Sequence, residues 1–194
     1  MESLRSVCVY CGASTRVNAI HKEAARRLGT ILGGRGIELI YGGGRVGLMG
    51  ILADAALAAG GRVTGVIPEH IQSLEVGHTG LTNLIVVETM HERKRAMIDR
   101  ANAFVVLPGG FGTLDETFEI LSWKQLRLHD KPMVLVDIDG YWGPLVALID
   151  HVVDQGFAQP GNRRMFTVVS QVEDVIDALA RQPAPAVRLE SKWL

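Results

Sequence analysis

The residues of this chain best suited to chemistry gather beside glycines. In "LPGGFGTLDETFE", Leu107 to Glu119, Gly109, Gly110 and Gly112 stand just ahead of Asp115, Glu116 and Glu119. Glycines let backbone amides approach a ligand closely, and a helix starting there adds unpaired N–H groups and a partial positive charge. Such a turn suits a phosphate. It is not a Walker loop, because no Lys-Ser or Lys-Thr follows the glycines. The acids need a separate reason. Thr113-Leu114-Asp115-Glu116 has capping-box spacing, with Thr113 as N-cap and Glu116 reaching back from N3; the functional alternative is a carboxylate turned toward the bound group. Glu119 reads as a supporting or solvated acid.

The cations lie in "ETMHERKRAM", Glu88 to Met97. Thr89-Met90-His91-Glu92 is a second candidate capping box, and Arg93, Lys94 and Arg95 form either a solvated face or a cationic edge of the same crevice. A guanidinium there can engage a phosphate or stabilise a leaving base. His91 reads as a surface or capping residue. "GGGRVG", Gly42 to Gly47, matches G-x-G-x-x-G, with Glu69 placed 22 residues further on to imitate a ribose-binding acid. A tight strand-to-helix turn and a different nucleotide or anion site compete with the dinucleotide reading. Cys8 and Cys11 form a C-x-x-C inside a strand pattern, where residues three apart face opposite ways, so they read as reduced structural thiols. No second cysteine pair and no H-E-x-x-H is present, and no metal site is expected.

These residues must be positioned by apolar strands that alternate with helical patterns. "SVCVYC" precedes a helix near Ala19 to Leu32, and "IELIY" leads through glycines to one near Leu48 to Ala59. "RVTGVI" runs into a polar stretch, Pro68 to Asn83, that reads as a surface loop. "LIVVE", "AFVVL", "PMVLVDI" and "MFTVVS" are each followed by a helical pattern. Near-continuous apolar strands separated by helices predict an α/β fold, a doubly wound and mostly parallel sheet covered on both faces. Its crevice should lie beyond the carboxyl ends of the strands, where both glycine turns fall. One domain is expected over residues 1–182, with a proline-containing tail over 183–194. The helix "GLMGILADAALAAGG" is apolar on nearly all sides apart from Asp54, which predicts burial against the sheet and against a further surface.

At 194 residues and 47% hydrophobic content, the chain can bury one substantial core. Twenty basic against 21 acidic side chains leave a formal charge of −1, without the broad basic footprint that nucleic acid or an anionic membrane would need. The apolar run at the N-terminus is too short for a signal segment or a membrane span, so a cytoplasmic protein is expected.

Together, "GGGRVGLMG", "MHERKRAM" and "PGGFGTLDE" resemble the signatures of the LONELY GUY (LOG) family, cytokinin riboside 5′-monophosphate phosphoribohydrolases often misnamed lysine decarboxylases. The resemblance runs from about Val7 through Val169. It implies a modified Rossmann fold, hydrolysis of the N-glycosidic bond of adenosine-type monophosphates, and commonly a homodimer with its site near the subunit interface. It places the catalytic pair on Arg93 and Glu116. It places substrate binding on Glu75, Lys94, Gly109, Gly110, Phe111, Gly112, Thr113, Leu114, Asp115 and Ser122, where Ser122 replaces a common Thr and Asp115 a common Glu. No redox or pyridoxal phosphate (PLP) cofactor is implied. A non-catalytic nucleotide-sensing or carrier module, and an oxidoreductase using the G-x-G-x-x-G turn, are the competing readings.

Overall fold

The computed structural model describes residues 4–75 and 77–181, with backbone alone for residues 73–75. Seven parallel strands make one sheet: β1 (Ser6–Tyr10), β2 (Glu38–Tyr41), β3 (Val63–Pro68), β4 (Asn83–Val87), β5 (Ala103–Val106), β6 (Met133–Val136) and β7 (Thr167–Val169). Their spatial order is β4-β3-β2-β1-β5-β6-β7. Connections α1 (Ala19–Gly34), α2 (Leu48–Ala58) and α3 (Glu69–Glu75) carry the chain outward on one side of β1; α4 (Met90–Arg100) returns it to β5 on the other side, and α5 (Phe111–Gln125), α6 (Gly143–Asp154) and α7 (Val175–Arg181) follow. The order therefore reverses between β1 and β5, which opens a crevice past their carboxyl ends.

Strand alternation divides the core into two layers. Val7, Val9 and Cys11 face α1, α2 and α7 through Leu28, Leu32, Leu52 and Val175. Cys8 and Tyr10 face α4, α5 and α6 through Met97, Ile98, Ile120 and Leu145. The two thiols thus lie on opposite faces, unpaired and buried, and burial raises both thiol pKa values far above the ordinary range.

One expectation changes here, and another is met from within the chain. The stretch read as a loop contains α3; "EHIQSLE" is too short for apolar periodicity to register, although Glu69 in its first turn suits the helix dipole. The all-round apolarity of α2 is largely used within the chain. Gly29 and Gly33 of α1 bring the two helices so close that a Cβ on either would collide with the Leu52 or Ala56 carbonyl oxygen. The tail over 183–194 lies outside the described residues.

Candidate active site

Thr89 and Glu92 form the capping box anticipated at the start of α4: Thr89 Oγ1 accepts from the Glu92 N–H at 3.1 Å, and Glu92 Oε2 accepts from the Thr89 N–H at 3.3 Å. This fixed entry places Arg93 and Lys94 one turn further in. Arg93 leans across β3, donating from Nε to the Val66 carbonyl at 3.2 Å, and its guanidinium occupies the space where a Cβ on Gly42 would stand.

The second candidate box does not form. Gly110, rather than Thr113, is the N-cap of α5, and no side chain caps the helix. Thr113 consequently sits inside the first turn, and Glu116 lies on the buried face of the second, out of reach of the N-cap amide. The glycines allow this earlier start: Gly109 passes so close to Thr113 Oγ1 and the Gly12 amide that a Cβ could not be accommodated. Capping therefore does not account for Glu116.

Glu116 Oε1 stands 3.4 Å from Arg93 Nη1, and both side chains are nearly buried. Burial pushes the Glu116 carboxyl up from 4.5 to about 7; Arg93 and Lys94 oppose that rise, and Asp115 and Glu119 add to it. Lys94 Nζ reaches Asp115 at 3.1 Å and Glu119 at 3.3 Å. Burial alone would lower its pKa, but these two carboxylates carry it upward and keep it charged. The cluster has a loosely paired carboxyl, its pKa raised by burial, at the cleft and a fixed cation behind it.

The cleft itself holds about 760 Å³ at the switch point between β1 and β5. Arg93, Gly109, Gly110, Gly112, Thr113 and Glu116 all line it. Lys94 lies behind this wall, bound to acids of α5. Phe111, Asp115 and Ser122 are exposed, and neither they nor the half-buried Leu114 line the cleft of the single chain. Glu75 ends α3, and its side chain lies outside the described residues. Sequence reasoning missed the opposite wall, made by Ser14, Arg16 and Asn18 after β1, by His21 and by Tyr141. The available signal was positional: "GASTRVN" leaves the strand at which the sheet order reverses.

The G-x-G-x-x-G turn is used differently. Leu48, first in α2, donates its N–H to the Gly12 carbonyl at 3.0 Å, and Gly47 adopts φ +68° directly against the Ala13 carbonyl. His78 N–H is bonded to the Gly43 carbonyl at 3.1 Å. The chain's own loops fill this turn, and of its glycines only Gly42 reaches the cleft. That removes the basis for reading it as a pyrophosphate site. Among the described residues, no cluster of three or more metal-ligating side chains could hold a metal ion, and no helix is long and apolar enough to cross a membrane.

The sequence model of a family described as "Possible lysine decarboxylase" matches residues 49–179. A cytokinin riboside 5′-monophosphate phosphoribohydrolase of Rhodococcoides fascians is 44% identical over 90% of this chain and 89% of its own. One of the same name from Arabidopsis thaliana is 39% identical over 97% and 84%. The chain belongs to the LOG family. Among solved structures, this LOG-family fold is similar to the molybdenum cofactor carrier protein of Chlamydomonas reinhardtii, with a TM-score of 0.69 at 22% identity over 92% of this chain and 98% of that one. That likeness is one of fold.

Proposed function

We propose that the protein hydrolyses the N-glycosidic bond of adenosine-type nucleoside 5′-monophosphates, N6-substituted cytokinin ribosides among them, releasing the free base and ribose 5-phosphate. The observation that carries this reading is the nearly buried Glu116–Arg93 pair, two turns into a helix whose uncapped N-terminus opens on the same cleft. A phosphate held by the N–H groups of residues 110–113 leaves the ribose toward Glu116. As the bond from C1′ to the base breaks, positive charge develops on the sugar, and the ionised Glu116 carboxylate stabilises it or activates water. The water oxygen joins C1′ and one of its protons leaves with the base. Arg93 holds the carboxylate in place and is available to the departing base or the nucleotide.

Lysine decarboxylation through PLP would require a neutral lysine amine to form a Schiff base. Lys94, the lysine nearest the site, is instead held as a cation by Asp115 and Glu119.

The same reading includes a homodimer. Phe111, Phe118 and Ser122 lie seven and eleven residues apart, within about 20° of one line along α5, and this exposed stripe includes Phe111 at 92% exposure. A second copy packed there would bring Phe111, Asp115 and Ser122 into a composite site. Two free buried thiols suit the reducing cytosol, where we place the enzyme.

The deciding experiment incubates the protein with AMP and with N6-isopentenyl-AMP and measures free base and ribose 5-phosphate together. Stoichiometric release of both is expected. Tight nucleotide binding without release would establish a carrier instead, and a monomeric mass by light scattering would remove the composite site.

A further inference from the structure

We infer that Tyr141 is a positioning residue that sets the phosphate turn by holding the Gly109–Gly110 peptide in one orientation. The Tyr141 hydroxyl donates to the Gly109 carbonyl oxygen at 2.6 Å, across 32 positions of sequence. Its ring is an edge-on neighbour of Trp142 and of His21, with centroids 4.9 and 5.8 Å away. A sharp bend in the chain precedes this ring. Asp139 and Gly140 both adopt positive φ, 56° and 72°, a conformation that costs a non-glycine residue about 1 kcal/mol or more. The next peptide is pinned where the Trp142 N–H meets Asp137 Oδ1 at 2.5 Å, and the Trp142 side chain is buried.

The peptide held by the hydroxyl has few other restraints on its rotation. Both flanking residues are glycines, which move freely between backbone conformations. Thr113 and Gly12 confine the Gly109 α-carbon, but a Cβ on Gly110 would touch nothing within 4 Å. In a trans peptide the carbonyl and the following N–H point in opposite directions, so fixing the Gly109 oxygen also fixes the Gly110 N–H. A flipped peptide would present a carbonyl oxygen, the wrong end of the dipole, to an anion at the start of α5. Tyr141 thereby holds open a donor set that the glycines alone leave variable.

This inference rests on the phosphate site proposed above, and Tyr141→Phe tests it, because the ring stays and only the hydroxyl goes. Loss of one neutral hydrogen bond should raise KM for the monophosphate about ten-fold. Turnover should change less, and the corresponding nucleoside should lose no more than about two-fold in kcat/KM, so the preference for phosphate contracts. Equal losses on both substrates, or a loss confined to kcat, would overturn the assignment. Calorimetric titration of parent and variant with inorganic phosphate and with ribose 5-phosphate reads the turn without turnover. Affinity weakened about ten-fold supports the role, and equal affinity, or no binding by the parent, refutes it. If the parent binds phosphate in a Tyr141-dependent way but releases no base from any nucleotide, the proposed reaction fails and the positioning role stands.

Discussion

The two glycine turns have similar sequence surroundings and opposite uses. Each follows a buried strand and opens a helix at the carboxyl edge of the sheet. At Gly42–Gly47 the freed space is taken by backbone: the Gly12 carbonyl accepts from the first amide of α2, and Ala13 lies against Gly47. At Gly109–Gly112 no side chain caps the helix, and an added Cβ at Gly110 or Gly112 would meet nothing within 4 Å. Glycine spacing signals close approach without saying what approaches. One turn packs protein on protein, and the other opens a helix start that no side chain caps.

Glu116, in the helix opened by the second turn, should show the largest effect. Glu116→Gln keeps size and hydrogen bonding but removes the charge, and turnover should fall at least about 100-fold. Its stability should change in the opposite direction. The folded-state pKa of about 7 lies above the ordinary 4.5, so the native protein binds more protons than the unfolded chain between these values and the parent loses stability as pH rises through them. The variant should match the parent near pH 4 and exceed it above pH 7, by as much as about 3 kcal/mol. Urea unfolding at both pH values checks this. A variant equally active, or less stable at high pH, would return Glu116 to a structural role.

The two turns can then be set against each other directly. Gly47→Ala forces a side chain into a left-handed conformation and onto the Ala13 carbonyl, and should cost about 3 kcal/mol or more in urea unfolding. Gly112→Ala meets open space in a helical turn, so the melting temperature should hold or rise. If the turn binds phosphate as proposed, its methyl crowds that group, and kcat/KM for AMP should fall about ten-fold. The comparison breaks if Gly112→Ala unfolds the protein or if Gly47→Ala is tolerated.

Much of this was legible in the sequence because apolar strands and helical spacing are local signals. The strand–turn–helix pattern placed both turns at the carboxyl ends of strands, and the Thr89–Glu92 box is present as its spacing predicts. The equivalent Thr113–Glu116 pattern failed because spacing does not locate the first helical residue; α5 begins three residues earlier, so Phe111 to Thr113 form its first turn and Glu116 lies on the buried face of the second. Tyr141 was illegible for a different reason. Its partner is 32 residues away, and the Asp139–Gly140 pair that marks the positive-φ bend before it does not say where the ring lands. Helix α2 is covered on two sides as its pattern predicts, but an apolar face does not say whether its cover comes from α1 or from another chain.

The smallest effect tests the electrostatics behind the open turn. If Glu116 must be ionised, kcat/KM should rise with pH along a limb near pH 7. Lys94 lowers the Glu116 pKa and Asp115 raises it, so removing each should shift that limb in opposite directions. Lys94→Met should move it to higher pH and Asp115→Asn to lower pH, each by about half a unit, in keeping with partly solvated charges near the site. Ionisation of the substrate phosphate contributes to the limb in all three proteins and cancels in the differences. Both variants also weaken substrate binding if Lys94 and Asp115 touch the nucleotide, but that changes the height of the profile, whereas the position of the limb reports the titrating group. Shifts in the same direction, or a limb that persists unchanged in Glu116→Gln, would assign the titration to a different residue.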